Sequence, residues 1–348
     1  MSLTIGLDAM GGDAAPGIVV AGASLALQHD LDLHFLLVGD APRLQPLLAR
    51  YDELRARTEV RHTPDAVAGD AKPSVALRQG RNSSMRLAIN AVKEGEAAAA
   101  VSAGNTGALM AMAKFVLKTL PGIDRPAIAS VLPAREGRVI VLDLGANVDC
   151  GAEHLFQFAV MGEVFARVML DVAKPRVGLL NVGTEELKGD DVVRGAAAML
   201  RESELPIDFH GFVEGTDVTE GVVDVVVTDG FTGNVALKIA EGTAAMFTSA
   251  LRDAFRGGGL RAKLGYLLAR PAFDTLRERF DARRYNGAMF LGVNGVVVKS
   301  HGGTDALGFS AAIAVAADLV RKGTNQRIIE EMGATSPAPA PAAHATTS

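Results

Sequence analysis

The chain has 348 residues, of which 49% are hydrophobic and 22% are charged, and its formal net charge is −5. This composition excludes an intrinsically disordered chain, and the acidic balance argues against nucleic-acid binding through overall charge. The single cysteine, Cys150, excludes an intramolecular disulfide and is typical of a protein in the reducing cytosol. We find no basic leader with an apolar core and no uninterrupted apolar run of about 18 residues, so we expect neither a signal peptide nor a membrane span.

Short apolar runs alternate with helical patterns along most of the chain. The predicted strands are Leu3–Leu7, Leu33–Val38, Ala98–Val101, Val139–Leu142, Val177–Leu180, Val222–Val227 and Gly295–Val298. The predicted helices are Thr106–Leu120, Glu153–Leu170, Asp191–Arg201 and Ala306–Arg321. This rhythm predicts a mostly parallel sheet with helices on both faces. We expect one α/β catalytic domain over residues 1–332 and a disordered Ala/Pro-rich tail over residues 333–348.

The rhythm stops between Thr243 and Arg284, where helical patterns follow one another without a strand. Residues 252–284 carry nine basic and four acidic side chains, a net charge of +5 within an acidic chain. Two interpretations stay open. The segment is either a helical hairpin packed against the body or a twin subunit, or a protruding tip that meets anionic lipid or an acidic protein. The candidate membrane-contact residues of the tip are Phe255, Leu260, Leu264, Leu267 and Leu268.

Turns rich in glycine and asparagine follow five of the predicted strands, at residues 8–13, 102–107, 143–149, 181–189 and 228–234. Ligands of open α/β sheets bind at the carboxyl ends of strands, where loops and helix N-termini converge and favour anions. The set therefore indicates an anionic, phosphate-bearing ligand, with ordinary turn geometry as an equally weighted alternative. The candidate residues for phosphate or acyl-substrate binding are Asp8, Gly11, Gly12, Asp13, Ser102, Gly104, Asn105, Thr106, Gly107, Asn147, Asn181, Gly183, Thr184, Asp229, Gly230, Thr232, Gly233 and His301.

Several common catalytic motifs are absent from the sequence. It has no G-x-x-x-x-G-K-[ST] loop, no G-x-S-x-G elbow and no H-E-x-x-H pair. The glycine run at 257–259 has no strand before it, which excludes a dinucleotide-binding turn. Cys150 has no recognisable base and is expected to be inert. We therefore expect no cofactor and no metal.

Nine strings, taken in order, resemble the bacterial phosphate acyltransferases of phospholipid synthesis (acyl-acyl-carrier-protein:phosphate acyltransferases). They are DAMGGD at 8–13, LVGD at 37–40, RNSSM at 81–85, SAGNTGALM at 102–110, GIDRPA at 122–127, LDLGANVD at 142–149, LLNVGTEELKG at 179–189, TDGFTGNVALK at 228–238 and HGGTD at 301–305. The last string departs from the family pattern at Gly303 and Thr304, where serines are often found. The resemblance runs from about Thr4 to Arg321.

The resemblance implies a Rossmann-like α/β/α fold, similar to isopropylmalate dehydrogenases and phosphotransacetylases, with a protruding helical tip. It also implies a homodimer with its cleft near the subunit interface, cytoplasmic and peripherally attached to the membrane. The implied reaction moves a long-chain acyl group from acyl-acyl-carrier protein to inorganic phosphate, and the acyl phosphate passes to glycerol-3-phosphate acyltransferase, a further candidate partner. Lys188 and Asn234 are the implied catalytic residues.

This chemistry fits the absence of a catalytic triad. Phosphate is already anionic at neutral pH, and a thiol with a pKa near ~8.5 leaves as thiolate. Lys188 would hold phosphate or counter the oxyanion, Asn234 would donate a hydrogen bond, and the amides of 104–107 and 230–233 would complete an anion cradle. Judged without the resemblance, Lys188 is a solvated surface lysine and Asn234 a helix cap. Two other functions stay open, a dehydrogenase of the related fold and a non-enzymatic module that binds acyl-carrier protein or membrane.

Overall fold

A computed structural model describes residues 2–279 and 281–335. The elements of the first half are β1 (Leu3–Asp8), α1 (Gly17–His29), β2 (Leu33–Gly39), α2 (Ala41–Leu48), α3 (Asp52–Ala56), β3 (Thr58–His62), α4 (Pro73–Gln79), α5 (Ser84–Lys93), β4 (Ala99–Ser102), α6 (Thr106–Leu117) and β5 (Ala127–Pro133). The elements of the second half are β6 (Arg138–Leu142), α7 (Ala152–Met169), β7 (Arg176–Leu180), α8 (Asp191–Glu202), β8 (Asp208–Val213), α9 (Gly215–Glu220), β9 (Val225–Val227), α10 (Gly230–Gly257), α11 (Gly259–Arg279), a 3₁₀ helix (Ala282–Tyr285), β10 (Ala288–Leu291), β11 (Val296–Lys299), α12 (Ala306–Arg321) and α13 (Thr324–Thr335).

The strands form one sheet in the order β3-β2-β1-β4-β11-β10-β5-β6-β9-β7-β8. Neighbours are parallel within each half, but β10 is antiparallel to β11 and to β5, and β5 is antiparallel to β6. These three reversals make the β6–β8 half run opposite to the β1–β4 half. The five predicted turns therefore lie at two opposite edges of the sheet: residues 8–13 and 102–107 at the first edge, and residues 143–149, 181–189 and 228–234 at the second edge.

Helices cover both faces of the sheet and bury two apolar layers. On one face, α1, α7 and α12 pack around Phe158, Phe165 and Phe309, all of which are fully buried. On the other face, α5 and α6 contribute Met85 and Met112. Burial on both faces explains why the central strands are continuous apolar runs rather than alternating ones.

The strands predicted from apolar runs are all present, and their bounds shift by only a few residues. Four strands escape the prediction, namely β3, β5, β8 and β10. The edge strands β3 (TEVRH) and β8 (DFHGFV) mix polar with apolar residues, whereas β10 has only four residues. The predicted helix Thr106–Leu120 ends at Leu117, since Lys118 has a φ of 66°.

The helical segment is a hairpin of α10 and α11, and it begins earlier than predicted. Asp229 caps α10 by accepting a hydrogen bond from the Thr232 amide at 2.8 Å, so the helix starts at Gly230, shortly before the helix start predicted at Asn234. Phe255, Tyr266 and Phe273 form an aromatic cluster with ring centroids 5.4–5.6 Å apart. Phe255 therefore packs within the hairpin, and its prediction as a membrane-contact residue stays a prediction.

The other four predicted tip residues are exposed, from Leu264 at 57% to Leu260 at 85%. None of the described helices is long and apolar enough to cross a membrane. The predicted tail boundary at residue 333 falls inside α13, and residues 336–348 of the predicted tail lie outside the described residues.

Candidate functional site

A cleft of about 540 Å³ is lined by residues from both halves of the sheet. It lies between α10, the start of α6, and strands β5, β10 and β11. Polar lining comes from both halves, because α10 starts at one edge of the sheet and Lys299 ends β11 at the other. The polar side chains include Thr106, Asn234, Lys238, Glu241, Arg283, Lys299 and His301, and the apolar ones include Ile128, Val131, Leu132, Leu144 and Leu237.

Asp8 ties together the loops at the first edge. Its Oδ1 accepts a hydrogen bond from Ser84 Oγ and its Oδ2 accepts one from Ser102 Oγ, both at 2.6 Å. The Ser102 hydroxyl in turn accepts the Gly104 amide at 3.0 Å. Burial raises the pKa of Asp8 above its usual value, and the two serine hydroxyls oppose that shift. Asp8 and Ser102 thus position these loops, since their side chains already have protein partners.

The glycine turn after β1 packs tightly on this network. A Cβ at Gly11 would lie 2.5 Å from Asp8 Oδ2 and 2.7 Å from the Gly104 nitrogen. Gly12 has a φ of +105°, a conformation that other residues rarely adopt. The Asp13 amide donates to the Gly302 carbonyl at 3.0 Å, which connects this turn to the loop after β11. The glycines of this turn therefore allow close packing of the site.

Asn105 caps α6 rather than facing a ligand. Its Oδ1 accepts the Ala108 amide at 2.8 Å, and its Nδ2 donates to the Gly69 carbonyl at 2.7 Å. Among the described residues, the amides of Thr106 and Gly107 have no hydrogen-bond partner. The positive end of the α6 dipole therefore adjoins the cleft, which Thr106 lines.

Asp143 organises the loops at the second edge and was missed as a site residue. It is fully buried and accepts the amides of Ile128, Ala146 and Asn147 at 2.8–3.0 Å. The Asn147 side chain also donates to it at 2.9 Å, so Asn147 positions this loop. Burial raises the pKa of Asp143, and these N–H donors oppose the shift. An aspartate directly after a buried strand was the signal available in the sequence.

The amides at the start of α10 already have partners. Gly230 donates to the Asn147 carbonyl at 2.7 Å, and Gly233 donates to the Asp229 carbonyl at 3.0 Å. The Thr232 amide is held by the Asp229 cap. Three of the four amides of the predicted anion cradle at residues 230–233 therefore have protein partners, and the cradle stays a prediction. The glycines also serve packing, since a Cβ at Gly233 would lie 1.9 Å from the Asp143 carbonyl oxygen.

Asn234 lines the cleft one helical turn into α10. It is exposed, and its side-chain amide has no hydrogen-bond partner among the described residues. It lies beside Gly145, where an added Cβ would be 3.5 Å from Asn234 Cγ. Asn234 is therefore an available hydrogen-bond donor in the cleft, not the helix cap, which is Asp229.

Lys188 lies in the loop after β7 and outside the lining of the cleft. Its Nζ pairs with Glu185 Oε1 at 2.8 Å, and its side chain is 49% exposed. The hydrogen bond with Glu185 raises the pKa of Lys188. Asn181 Nδ2 donates to the Lys188 carbonyl at 3.1 Å, Gly183 lies close to the lysine side chain, and Thr184 is exposed. Lys188 thus follows β7 and Asn234 follows the neighbouring parallel strand β9, but only Asn234 lines the cleft.

Three cationic side chains of the cleft, Lys238, Arg283 and Lys299, were missed. Burial lowers the pKa of Lys299 to about 8. Its signal in the sequence is a lysine that ends an apolar strand just before the glycine loop at 301–303. His301 lines the cleft, and its Nδ1 accepts the Gly303 amide at 3.2 Å, so the ring also holds this turn.

Metal ions and reactive cysteines are two further sources of catalytic chemistry. In the described part of the chain, no group of three or more His, Cys, Asp or Glu side chains is arranged to hold a metal. Burial, with Asp143 and Asp229 nearby, raises the pKa of the Cys150 thiol to about 11. Cys150 is therefore a protonated thiol at neutral pH, in agreement with the expectation that it is inert.

Sequence comparison finds close relatives over nearly the whole chain. The sequence profile of a family described as "Fatty acid synthesis protein" matches residues 3–327. A phosphate acyltransferase of Rhodospirillum centenum is 63% identical over 94% of this chain and 92% of the relative. A phosphate acyltransferase of Paramagnetospirillum magneticum is 58% identical over 97% of this chain and 96% of the relative.

Solved structures of similar fold are more distant in sequence. A phosphotransacetylase from Streptococcus pyogenes matches with a TM-score of 0.63 at 19% identity, over 92% of this chain and 94% of that one. A 4-hydroxythreonine-4-phosphate dehydrogenase from Klebsiella pneumoniae matches with a TM-score of 0.53 at 15% identity, over 92% and 100%. These matches and the mostly parallel sheet confirm the predicted Rossmann-like fold class.

Proposed function

The chain belongs to the phosphate acyltransferase family, and on this premise we propose that it transfers a long-chain fatty acyl group from acyl-acyl-carrier protein to inorganic phosphate. The products are an acyl phosphate and the free thiol of the carrier. The acyl phosphate then serves the synthesis of phosphatidic acid and other phospholipids. The enzyme is thus an acyltransferase.

One observation carries this proposal: a single cleft combines cationic side chains, an available amide donor and an apolar wall. Lys299 suits an anionic nucleophile, and Asn234 suits a developing oxyanion. The apolar wall suits the acyl chain near its thioester end. This wall is formed by Ile128, Val131, Leu132, Leu144 and Leu237.

The reaction needs little proton transfer. A phosphate oxygen forms a bond to the thioester carbonyl carbon, and the carbonyl oxygen becomes an oxyanion. When the carbonyl re-forms, the carbon–sulfur bond breaks and the carrier leaves as a thiolate, which takes its proton from water. Because the nucleophile is already anionic and the leaving thiol has a pKa near ~8.5, the protein has only to position the reactants and stabilise the oxyanion.

Within this proposal, Asn234 donates a hydrogen bond to the oxyanion from its Nδ2. Lys188 keeps its proposed role of holding phosphate or countering the oxyanion on the strength of the family resemblance alone. Its ion pair with Glu185 supports the alternative of a surface lysine. Substitution of each residue by alanine separates the catalytic role from the structural one.

We propose that the protein is a homodimer in which α10 contributes to the interface. Four apolar side chains recur at helical spacing along α10 and are exposed, from Val235 at 43% to Met246 at 67%: Phe231, Val235, Ile239 and Met246. Such a stripe on one helix face is typical of a surface that another protein covers. Analytical ultracentrifugation should give twice the chain mass, and Ile239→Glu should shift the protein towards monomer. A monomeric wild-type protein at micromolar concentration would contradict the dimer.

We also propose a cytoplasmic enzyme that binds the inner face of the membrane through the end of the hairpin. Leu260, Leu264, Leu267 and Leu268 are exposed there, among basic residues such as Arg261. Apolar side chains with a basic surround suit an anionic bilayer. Glycerol-3-phosphate acyltransferase at the same membrane is a further proposed partner.

The decisive experiment is incubation of the full chain with long-chain acyl-acyl-carrier protein, with and without inorganic phosphate. Mass spectrometry should detect an acyl phosphate and free carrier only when phosphate is present. Carrier binding without phosphate-dependent loss of the thioester would favour the non-enzymatic module instead. Saturable binding of a nicotinamide cofactor, measured by fluorescence, would favour the dehydrogenase.

A further inference from the structure

Lys299 presents a cation to the cleft without a carboxylate partner. Its Nζ donates to the Ala103 carbonyl at 3.4 Å and to the Ser300 carbonyl. Among the described residues, no carboxylate lies within ion-pair distance of this ammonium. An ammonium has three N–H donors, so at least one remains available to a ligand.

The other cations of the cleft are already neutralised by direct contact. Lys238 Nζ pairs with Glu241 Oε2 at 2.7 Å, and Arg283 pairs with Asp281 at 2.6 Å and with Asp305 at 2.9 Å. Among the cleft-lining Lys and Arg residues, which the structure describes in full, Lys299 therefore stands apart. A half-buried charge of this kind gains most from a bound anion, because water screens it least.

We propose that Lys299 binds the inorganic phosphate that attacks the thioester, an assignment that rests on the proposed function. Phosphate would lie between the Lys299 ammonium and the start of α6, where the amides of Thr106 and Gly107 are available among the described residues. Asn234 lines the same cleft, so the phosphate and the oxyanion donor share one enclosed space. Lys299 is thus a phosphate-binding cation within the cleft, in addition to Lys188, for which the family resemblance implied a similar role.

The surroundings of Lys299 bring the pKa of its ammonium group close to neutral pH. Burial lowers its pKa to about 8, and Lys238 acts in the same direction. Asp8 and Asp13 act in the opposite direction from the first turn, and Arg283 and His301 line the same cleft. A bound phosphate dianion adds negative charge and therefore favours the charged ammonium.

The test compares Lys299→Met, Lys299→Arg and the control Lys93→Met by steady-state kinetics. Lys93 is exposed at the end of α5 and does not line the cleft. Losing one charge-assisted hydrogen bond to phosphate should raise the phosphate KM roughly ten- to hundredfold in Lys299→Met. The KM for acyl-acyl-carrier protein should stay unchanged, and Lys299→Arg should recover part of the phosphate affinity. A folded Lys299→Met variant with the wild-type phosphate KM overturns the assignment.

A second measurement uses the unaltered protein and does not depend on the fold of a variant. Acetic anhydride is added in limiting amount at pH 8, and acetylation of the peptide containing Lys299 is followed by mass spectrometry. Inorganic phosphate should slow acetylation of Lys299 and leave Lys93 unaffected. Equal rates with and without saturating phosphate overturn the assignment. This readout needs no turnover, so a failure of the acyltransferase proposal is distinguishable from a failure at Lys299.

Discussion

Replacement of Asn234 by alanine separates catalysis from stability. The side-chain amide has no hydrogen-bond partner among the described residues, so its removal breaks no folded-state contact of that kind. Alanine also has the higher helix propensity, which favours the folded state by about 0.5 kcal/mol in α10. A donor to the oxyanion is worth ~3 kcal/mol in comparable sites, which corresponds to roughly a hundredfold in rate. We therefore expect kcat to fall about a hundredfold while the free energy of unfolding is unchanged or slightly higher.

The assay follows release of the carrier thiol with a chromogenic disulfide at saturating phosphate, and urea unfolding reports stability. Thr248→Ala is a matched control, because Thr248 is also exposed on α10 and donates only to the Ala244 carbonyl at 2.7 Å. The control should keep the wild-type rate. A wild-type kcat in Asn234→Ala would refute the oxyanion role. A rate loss matched by lost stability would assign the residue to the fold instead.

Four further predictions address the remaining claims. Lys188→Ala should lower kcat about a hundredfold if the lysine acts in catalysis, and a wild-type kcat would return it to the role of a surface ion-pair partner. The phosphate KM should rise above pH 8, by up to about tenfold per pH unit, because Lys299, with a pKa of about 8, is cationic below that pH and neutral above it; a flat KM from pH 7 to 9 would contradict this. Gly233→Ala should destabilise the protein by several kcal/mol, on the order of an overpacked core, because the added Cβ would lie 1.9 Å from the Asp143 carbonyl oxygen; a wild-type midpoint in urea would show that the loop yields. Replacing Leu264, Leu267 and Leu268 together by serine should weaken cosedimentation with anionic vesicles and leave the reaction rate in solution unchanged, because these side chains are exposed. Undiminished vesicle binding would exclude them as lipid contacts.

The order of elements could be predicted from the sequence because apolar strands and amphipathic helices have distinct periods. Val177–Leu180 and Glu153–Leu170 are local patterns, and both elements form within a residue or two of the prediction. Sheet order is not local. The strand β10 has four residues and no helix between it and β11, and it pairs antiparallel with both β11 and β5. The antiparallel pairing of β5 with β6 then reverses the second half of the sheet.

Much of the candidate site was recognised as a set of turns, but the role of each turn needed three dimensions. Asn147 and Asn105 are of a residue type that often binds ligands. In the structure their side-chain amides donate to Asp143 and to the Gly69 carbonyl instead, which holds the loops in place. The opposite error applies to Lys299. A lysine at the end of a strand forms no recognisable sequence motif. Lys299 is a candidate phosphate ligand because it is largely buried and because carboxylates pair with Lys238 and Arg283 but not with the Lys299 ammonium.

The reversal of the sheet explains why one helix can connect two distant sets of loops. The carboxyl ends of β9 and β11 lie at opposite edges. Helix α10 starts beside the Asp143 loop, and Lys238 further along α10 lines the same cleft as Lys299. Gly230 and Gly233 pack the first turn of α10 closely against that loop, and this packing fixes the positions of Asn234 and Lys238 further along the helix. An apolar wall from β5 lies between the two sets. A hydrogen-bond donor from one edge and a cation from the other therefore meet across a surface suited to an acyl chain, and this is the arrangement that transfer between a thioester and an anion requires.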